Sequence, residues 1–105
     1  MGKRRFLVLE KNIEKIFVKR IQKLGGICYK FVSPGNSGVP DRIVVFRKKV
    51  IFVELKAEKG KLTELQKRQI GKIRARGAAV AVLYGLDDVL DFLDTLAFRT
   101  QHERA

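Results

Sequence analysis

The chain of 105 residues contains one cysteine, one histidine, no tryptophan, two prolines and only 11 acidic residues. A lone thiol, Cys28, excludes an internal disulfide and any cysteine-based zinc site, since both need several thiols at short spacing. A lone imidazole, His102, excludes a histidine metal centre, and no Ser, His and Asp can be assembled into a nucleophilic triad. Gly and Pro together supply 11 of 105 residues, too few for a low-complexity or disordered chain. No apolar run approaches the roughly 20 residues needed to span a bilayer. Met1 to Arg5 leads into only four apolar residues, Phe6 to Leu9, before Glu10, so neither a membrane segment nor a signal peptide is expected. The expected compartment is the reducing cytoplasm.

What is present is enough for one core. At 12.0 kDa, with 46% apolar and 32% charged residues, the chain is expected to form a single domain over residues 1–105. Lys and Arg number 23, giving a net charge of +12, which works against compactness unless a polyanion binds. Nucleic acid is therefore the first partner to consider. The charge is also uneven: Leu86 to Phe98 contains Asp87, Asp88, Asp91 and Asp94 with no base, leaving 23 bases against 7 acids, or +16, elsewhere. One face should be basic and one helix acidic.

Apolar positions Ile13, Ile16, Phe17, Ile21 and Leu24 recur at helical spacing, predicting a helix over 10–24 that Gly25-Gly26 ends. Aromatic and β-branched residues predict a strand at 27–32, and the turn-forming residues of 33–38 predict a loop. Strands at 41–46 and 50–56, joined by the basic turn Arg47-Lys48-Lys49, are close enough to pair antiparallel. Thr63-x-x-Gln66 has the form of a capping box opening a helix that runs to Arg76. An almost wholly apolar strand at 79–84, expected to be covered on both faces, precedes a third helix at 87–98, and 100–105 reads as a frayed tail. The order implies an α/β fold with a mixed four-stranded sheet and helices on both faces.

In the third strand Phe52, Glu54 and Lys56 share one side, so an acid and a base neighbour each other on a strand that looks buried on both faces. Such a pair is costly unless it is paired or binds an ion. Asp41 opens the preceding strand after the Val39-Pro40 bend, where strand pairing would bring its carboxylate toward Glu54. Two carboxylates and a lysine then suit Mg²⁺ or Mn²⁺, hard cations that keep waters and polarise a phosphate. A lysine beside them can orient or deprotonate a water or neutralise charge developing on phosphorus.

Pro40-Asp41, followed by Glu54-Leu55-Lys56, resembles the signature of the PD-(D/E)XK nuclease superfamily, and each part falls where that superfamily's αβββαβ core would put it. Gly38-Val39-Pro40-Asp41-Arg42, Phe52 to Ala57, Gly60-Lys61-Leu62-Thr63 and Gln66 resemble, more specifically, the VRR-NUC (virus-type replication-repair nuclease) family, especially its small stand-alone phage and prophage members. The resemblance covers about residues 10–90. It implies a restriction-endonuclease-like core and a metal-dependent endonuclease acting on branched DNA, such as a four-way junction or flap. It also implies a homodimer similar to Holliday-junction resolvases. Carried over, Asp41 and Glu54 with the Leu55 backbone carbonyl would be metal ligands, Lys56 the catalytic lysine and Gln66 the glutamine of the following helix.

The family also implies a glutamate on the first helix, for which Glu10 and Glu14 compete. Glu10 continues the inward stripe 10, 13, 17, 21, 24 and is favoured; Glu14 sits about 100° away. Gln66 is equally accounted for by its capping box, and the two roles are compatible. Lys30, Ser33, Arg42, Arg47, Lys48, Lys49, Lys59 and Lys61 are candidate phosphate contacts. Cys28 is expected in the core. A non-catalytic nucleic-acid-binding module is one rival reading, but it would have no use for clustered acids that repel phosphate; a restriction-type, flap or RNA-directed nuclease is the enzymatic rival.

Overall fold

Ile13, Phe17 and Ile21 stack on one side of a helix, α1 (Glu10–Lys23), and are buried there; Gly25, at φ 93°, turns the chain out of it. The computed structural model describes the backbone of residues 10–104 and the side chains of residues 11–98. Phe6 to Leu9 lie outside the described residues. After α1 come β1 (Ile27–Lys30), β2 (Arg42–Phe46), β3 (Lys49–Lys56), α2 (Glu64–Ala75), β4 (Ala79–Tyr84) and α3 (Gly85–Arg104). The four strands lie in the order β1-β2-β3-β4, with antiparallel β1–β2 and β2–β3 pairs and a parallel β3–β4 pair closed by the α2 crossover. The mixed α/β fold expected from the sequence is the one observed.

The period-2 alternation of the strands sorts their side chains onto two faces. Cys28, Val44, Phe46, Ile51, Val53, Leu55 and Leu83 point to one face and pack with Ile13, Phe17 and Ile21 of α1 and Val89, Leu93 and Leu96 of α3. Full burial of an aromatic such as Phe17 contributes roughly 1.5–3 kcal/mol, so this layer is what holds the sheet. Burial pushes the Cys28 thiol above its ordinary pKa, with the Arg42 charge acting against that shift and the Glu14 charge adding to it. The opposite face is covered by α2 only in part: Ile70 is buried, while Ile27, Tyr29, Val45 and Val50 stay exposed.

Three expectations need correction. β3 is not covered on both faces along its length, because Val50 is 52% exposed where α2 does not reach. β4 is half-buried rather than fully covered, and it is the last strand of the sheet among the described residues. The helical backbone of α3 runs to Arg104, where the sequence suggests a frayed tail from Thr100. Extending a packed helix needs no new nucleus, so polar residues can continue it without a core of their own. The Arg47-Lys48 link between β2 and β3 is a two-residue hairpin turn with both residues at positive φ, 47° and 69°. Such a turn normally takes Asn or Gly, and each non-glycine residue there costs about 1–2 kcal/mol.

Among the described residues no helix is long and apolar enough to cross a membrane.

Candidate active site

The start of β2 and the end of β3 meet where the chain enters from the 33–40 loop. Gly38 adopts φ 91° and lies so close to the first turn of α2 that a Cβ there would stand 2.7 Å from the Leu65 carbonyl carbon. Only glycine permits both that backbone angle and that approach. The contact docks the loop on α2, after which fully buried Pro40 delivers Asp41 to the sheet. Asp41 Oδ2 accepts the Leu55 backbone N–H at 3.1 Å, and the Asp41 carbonyl accepts the Phe31 N–H at 2.8 Å. The carboxylate is thus tied to the central residue of Glu54-Leu55-Lys56.

Glu54 leaves β3 toward α2 and is only 2% exposed, so a negative charge is buried at this strand end. Removing a carboxylate from water costs on the order of several kcal/mol. Two partners offset that cost: Lys56 Nζ lies 4.0 Å from Glu54 Oε2, and Gln66 Nε2 donates to the same oxygen at 3.1 Å. Gln66 serves two purposes at once. Its Oε1 accepts the Thr63 backbone N–H at 2.9 Å, while its own backbone N–H donates to Thr63 Oγ1 at 3.1 Å, completing the capping box. A capping box takes Glu or Gln at this position equally well, but only Gln has a donor left to hold a carboxylate.

Gln66→Glu should therefore keep the cap and much of the stability, while setting one carboxylate against another. Cleavage by this variant is expected to fall by about 10- to 100-fold, the usual range for residues that orient a ligating group. A rate equal to the wild type, measured alongside an unchanged thermal unfolding curve, would reduce Gln66 to a helix cap.

At the same strand end, a cleft of about 400 Å³ is lined by Asp41, Leu55, Glu14, Lys11, Lys30 and Phe31. Glu14 is the described α1 acid that reaches it. Glu10 begins α1, and its side chain lies outside the described residues. The acids and Lys56 therefore fall into two groups, Asp41 with Glu14 lining the cleft and Glu54 held by Lys56 and Gln66. Among the described residues no three Asp, Glu, His or Cys side chains stand together as a ready metal cluster. Asp41 and Glu54, with the main-chain carbonyl of Leu55 next to Glu54 in sequence and water for the rest, are a donor set of the kind Mg²⁺ takes, since it binds one or two carboxylates and keeps several waters.

The basic residues divide similarly. Lys30 lines the cleft, and Lys59, Lys61 and the Arg47 to Lys49 turn are exposed. Ser33 accepts Asn36 Nδ2 at 2.8 Å within its own loop. Arg42, a candidate phosphate contact from sequence, turns its guanidinium to Glu14. Sequence reasoning has no signal for that pair, which is 28 residues apart and depends on how α1 crosses the sheet.

Comparison with known proteins agrees with this fold. The family model described as "VRR-NUC domain" matches residues 9–87. A protein named "Putative nuclease p44", from Acyrthosiphon pisum secondary endosymbiont phage 1, is 49% identical over 82 residues, covering 77% of this chain and 88% of its own length. A solved structure titled "VRR_NUC domain" superposes with a TM-score of 0.76 at 33% identity, covering 81% of this chain and 94% of that one. Hjc from Archaeoglobus fulgidus, described as a Holliday junction resolvase from an archaeal hyperthermophile, shares the fold with a TM-score of 0.55 at 20% identity, over 71% of this chain and 67% of that one.

Proposed function

The chain belongs to the VRR-NUC family of nucleases, and on that premise we propose that it is a divalent-metal-dependent, structure-selective DNA endonuclease, acting as a homodimer on four-way junctions. The observation that carries the reading is the buried Glu54 carboxylate, held by Gln66 and Lys56 at the strand end to which Asp41 is tied. A fold alone gives no reason to bury a charge beside a second acid in a chain of net charge +12. A site for phosphodiester hydrolysis does.

Asp41, Glu54 and the Leu55 carbonyl would hold Mg²⁺ or Mn²⁺, which when bound supplies Lewis-acid polarisation of the phosphate and a more acidic water. The chain's own residues do the rest. The Leu55 N–H fixes the Asp41 carboxylate, and Gln66 fixes that of Glu54, so neither must reorganise as charge develops. Lys56 orients a water toward phosphorus and neutralises the added negative charge as the water–phosphorus bond forms and the ester bond breaks. The proton released by the water balances the one the leaving oxygen takes up. Lys30, Lys59, Lys61 and the Arg47 to Lys49 turn hold the flanking backbone by charge.

Two symmetric cuts in one encounter with a junction require two such sites, and one chain supplies one. A two-fold pair would match the junction's own symmetry. The exposed apolar row formed by Ile27, Val45 and Val50, with Tyr29 beside it, is a surface on which a second copy can pack. The test is cleavage of four-way junction, flap, duplex and single-stranded DNA with Mg²⁺ or Mn²⁺, with sedimentation of the protein free and bound. Paired symmetric nicks in the junction by a dimer are expected. A strict monomer cutting only flaps or single strands would overturn the junction assignment, and no cleavage of any substrate would leave the binding-module reading in its place.

A further inference from the structure

Metal binding by Asp41 and Glu54 gives no task to Arg42. Its side chain is only 16% exposed, and both Nε and Nη2 lie 3.2 Å from Oε2 of Glu14, whose side chain is 40% exposed. Two donors converging on one oxygen leave Glu14 Oε1 without a partner among the described residues. An arginine straddling both oxygens would compete with a cation for the whole carboxylate. A grip on one oxygen instead orients the other.

Glu14 stands on the wall between two clefts. One is shared with Arg42, and the other is the cleft that contains Asp41 and Leu55. A glutamate on a helix surface otherwise samples several rotamers, and a rigid planar guanidinium removes that freedom. Arg42 also follows Asp41 directly in the chain, at the start of β2. Both acids of the cleft are thus anchored through neighbouring residues, Asp41 by the Leu55 N–H and Glu14 by Arg42.

We propose that Arg42 is a positioning residue for cation binding: by holding Glu14 Oε2 it aims Oε1 into the Asp41 cleft, adding an α1 oxygen to the donors from β2 and β3. The proposal rests on the metal-dependent reading. It also accounts for an arginine that is largely buried against an acid in a chain rich in exposed bases. The geometry offers a second consequence: Glu14 and Arg42 act as one unit, so removing either should have the effect of removing both.

The test is calorimetric titration of Mn²⁺ into DNA-free protein, comparing wild type with Arg42→Gln, Arg42→Lys, Glu14→Gln and the Glu14→Gln/Arg42→Gln double variant. Arg42→Gln is expected to weaken Mn²⁺ binding by about 10-fold or more, as the loss of other outer-sphere partners does. Arg42→Lys should recover part of that loss, because it keeps the charge and one donor. Glu14→Gln should lose as much as Arg42→Gln, and the double variant no more than Glu14→Gln alone. The double variant leaves no charge unpaired, so the comparison survives even where Arg42→Gln does not fold. Wild-type affinity in Arg42→Gln, tighter binding, or losses that add in the double variant would overturn the proposal while leaving the metal-dependent reading intact. A wild-type protein that takes up no Mn²⁺ would overturn both.

Discussion

Asp41→Ala, Glu54→Gln and Lys56→Ala are each expected to lower cleavage by about a thousand-fold or more. The three groups are held by one short stretch of β3 and its neighbours: Asp41 on the Leu55 N–H, Glu54 on Gln66 and Lys56 beside Glu54. Residues that act as a unit are strongly non-additive, so Asp41→Ala combined with Glu54→Gln should be little worse than the poorer single variant. Glutamine is the informative change at position 54, because it removes the charge at nearly constant volume from a site that is 2% exposed. The variants should keep their circular dichroism and still bind DNA. Those lacking an acid should bind as well as wild type or better, since a repulsion toward phosphate is gone. Single-turnover cleavage of a labelled junction is the measurement, and a near-normal rate in Asp41→Ala would sink the assignment.

Affinity for DNA is expected to collapse with salt, by roughly 10³- to 10⁵-fold between about 50 and 200 mM if six to ten phosphates are neutralised. The net charge of +12 and the exposed bases at Lys30, Lys59, Lys61 and the Arg47 to Lys49 turn motivate that range. Changing Arg47, Lys48 and Lys49 together to Ala should reduce the slope of log affinity against log salt by up to about three, near 0.9 for each phosphate that is no longer neutralised. The cleavage rate at saturating protein should be unchanged, because that turn lies at the opposite end of β3 from Glu54 and Lys56. Binding titrations by fluorescence anisotropy across a salt series would decide this. An unchanged slope in the triple variant would move the DNA path elsewhere on the surface.

Much of the fold is legible in the sequence because its signals are local. Helical spacing at Ile13, Phe17 and Ile21, the Thr63 and Gln66 capping box and the glycines after two helices each mark an element without reference to the rest of the chain. Residue type and alternation place the strands within a residue or two of where they lie, and β4 at its observed limits. What periodicity does not reveal is which face a neighbour covers. β4 reads as fully buried because it is apolar, yet it is only half-buried, and Val50 reads as core although α2 stops short of it.

The site divides along the same line. Asp41, Glu54 and Lys56 are legible because the strand pattern sets Asp41 just before β2 and the other two at the end of β3, while Gln66 is marked by its capping box and by the family resemblance. The second task of Gln66 is legible in hindsight, since a capping box ending in Gln rather than Glu keeps a spare donor. The Glu14–Arg42 pair is not, because it depends on the crossing of α1 over β2 and joins residues 28 apart. The stripe argument favours Glu10, whereas the described side chains bring Glu14 to the Asp41 cleft. A helix face that packs on a sheet is wider than a single line of residues, so a residue flanking the buried stripe can reach the sheet's rim.

Anomalous diffraction at the manganese edge from crystals soaked in Mn²⁺ tests the central claim most directly. The predicted result is a peak bounded by the Asp41 and Glu54 carboxylates and the Leu55 carbonyl oxygen, absent from crystals of Asp41→Ala. A peak elsewhere, or none at that strand end in crystals that take up manganese, would contradict it.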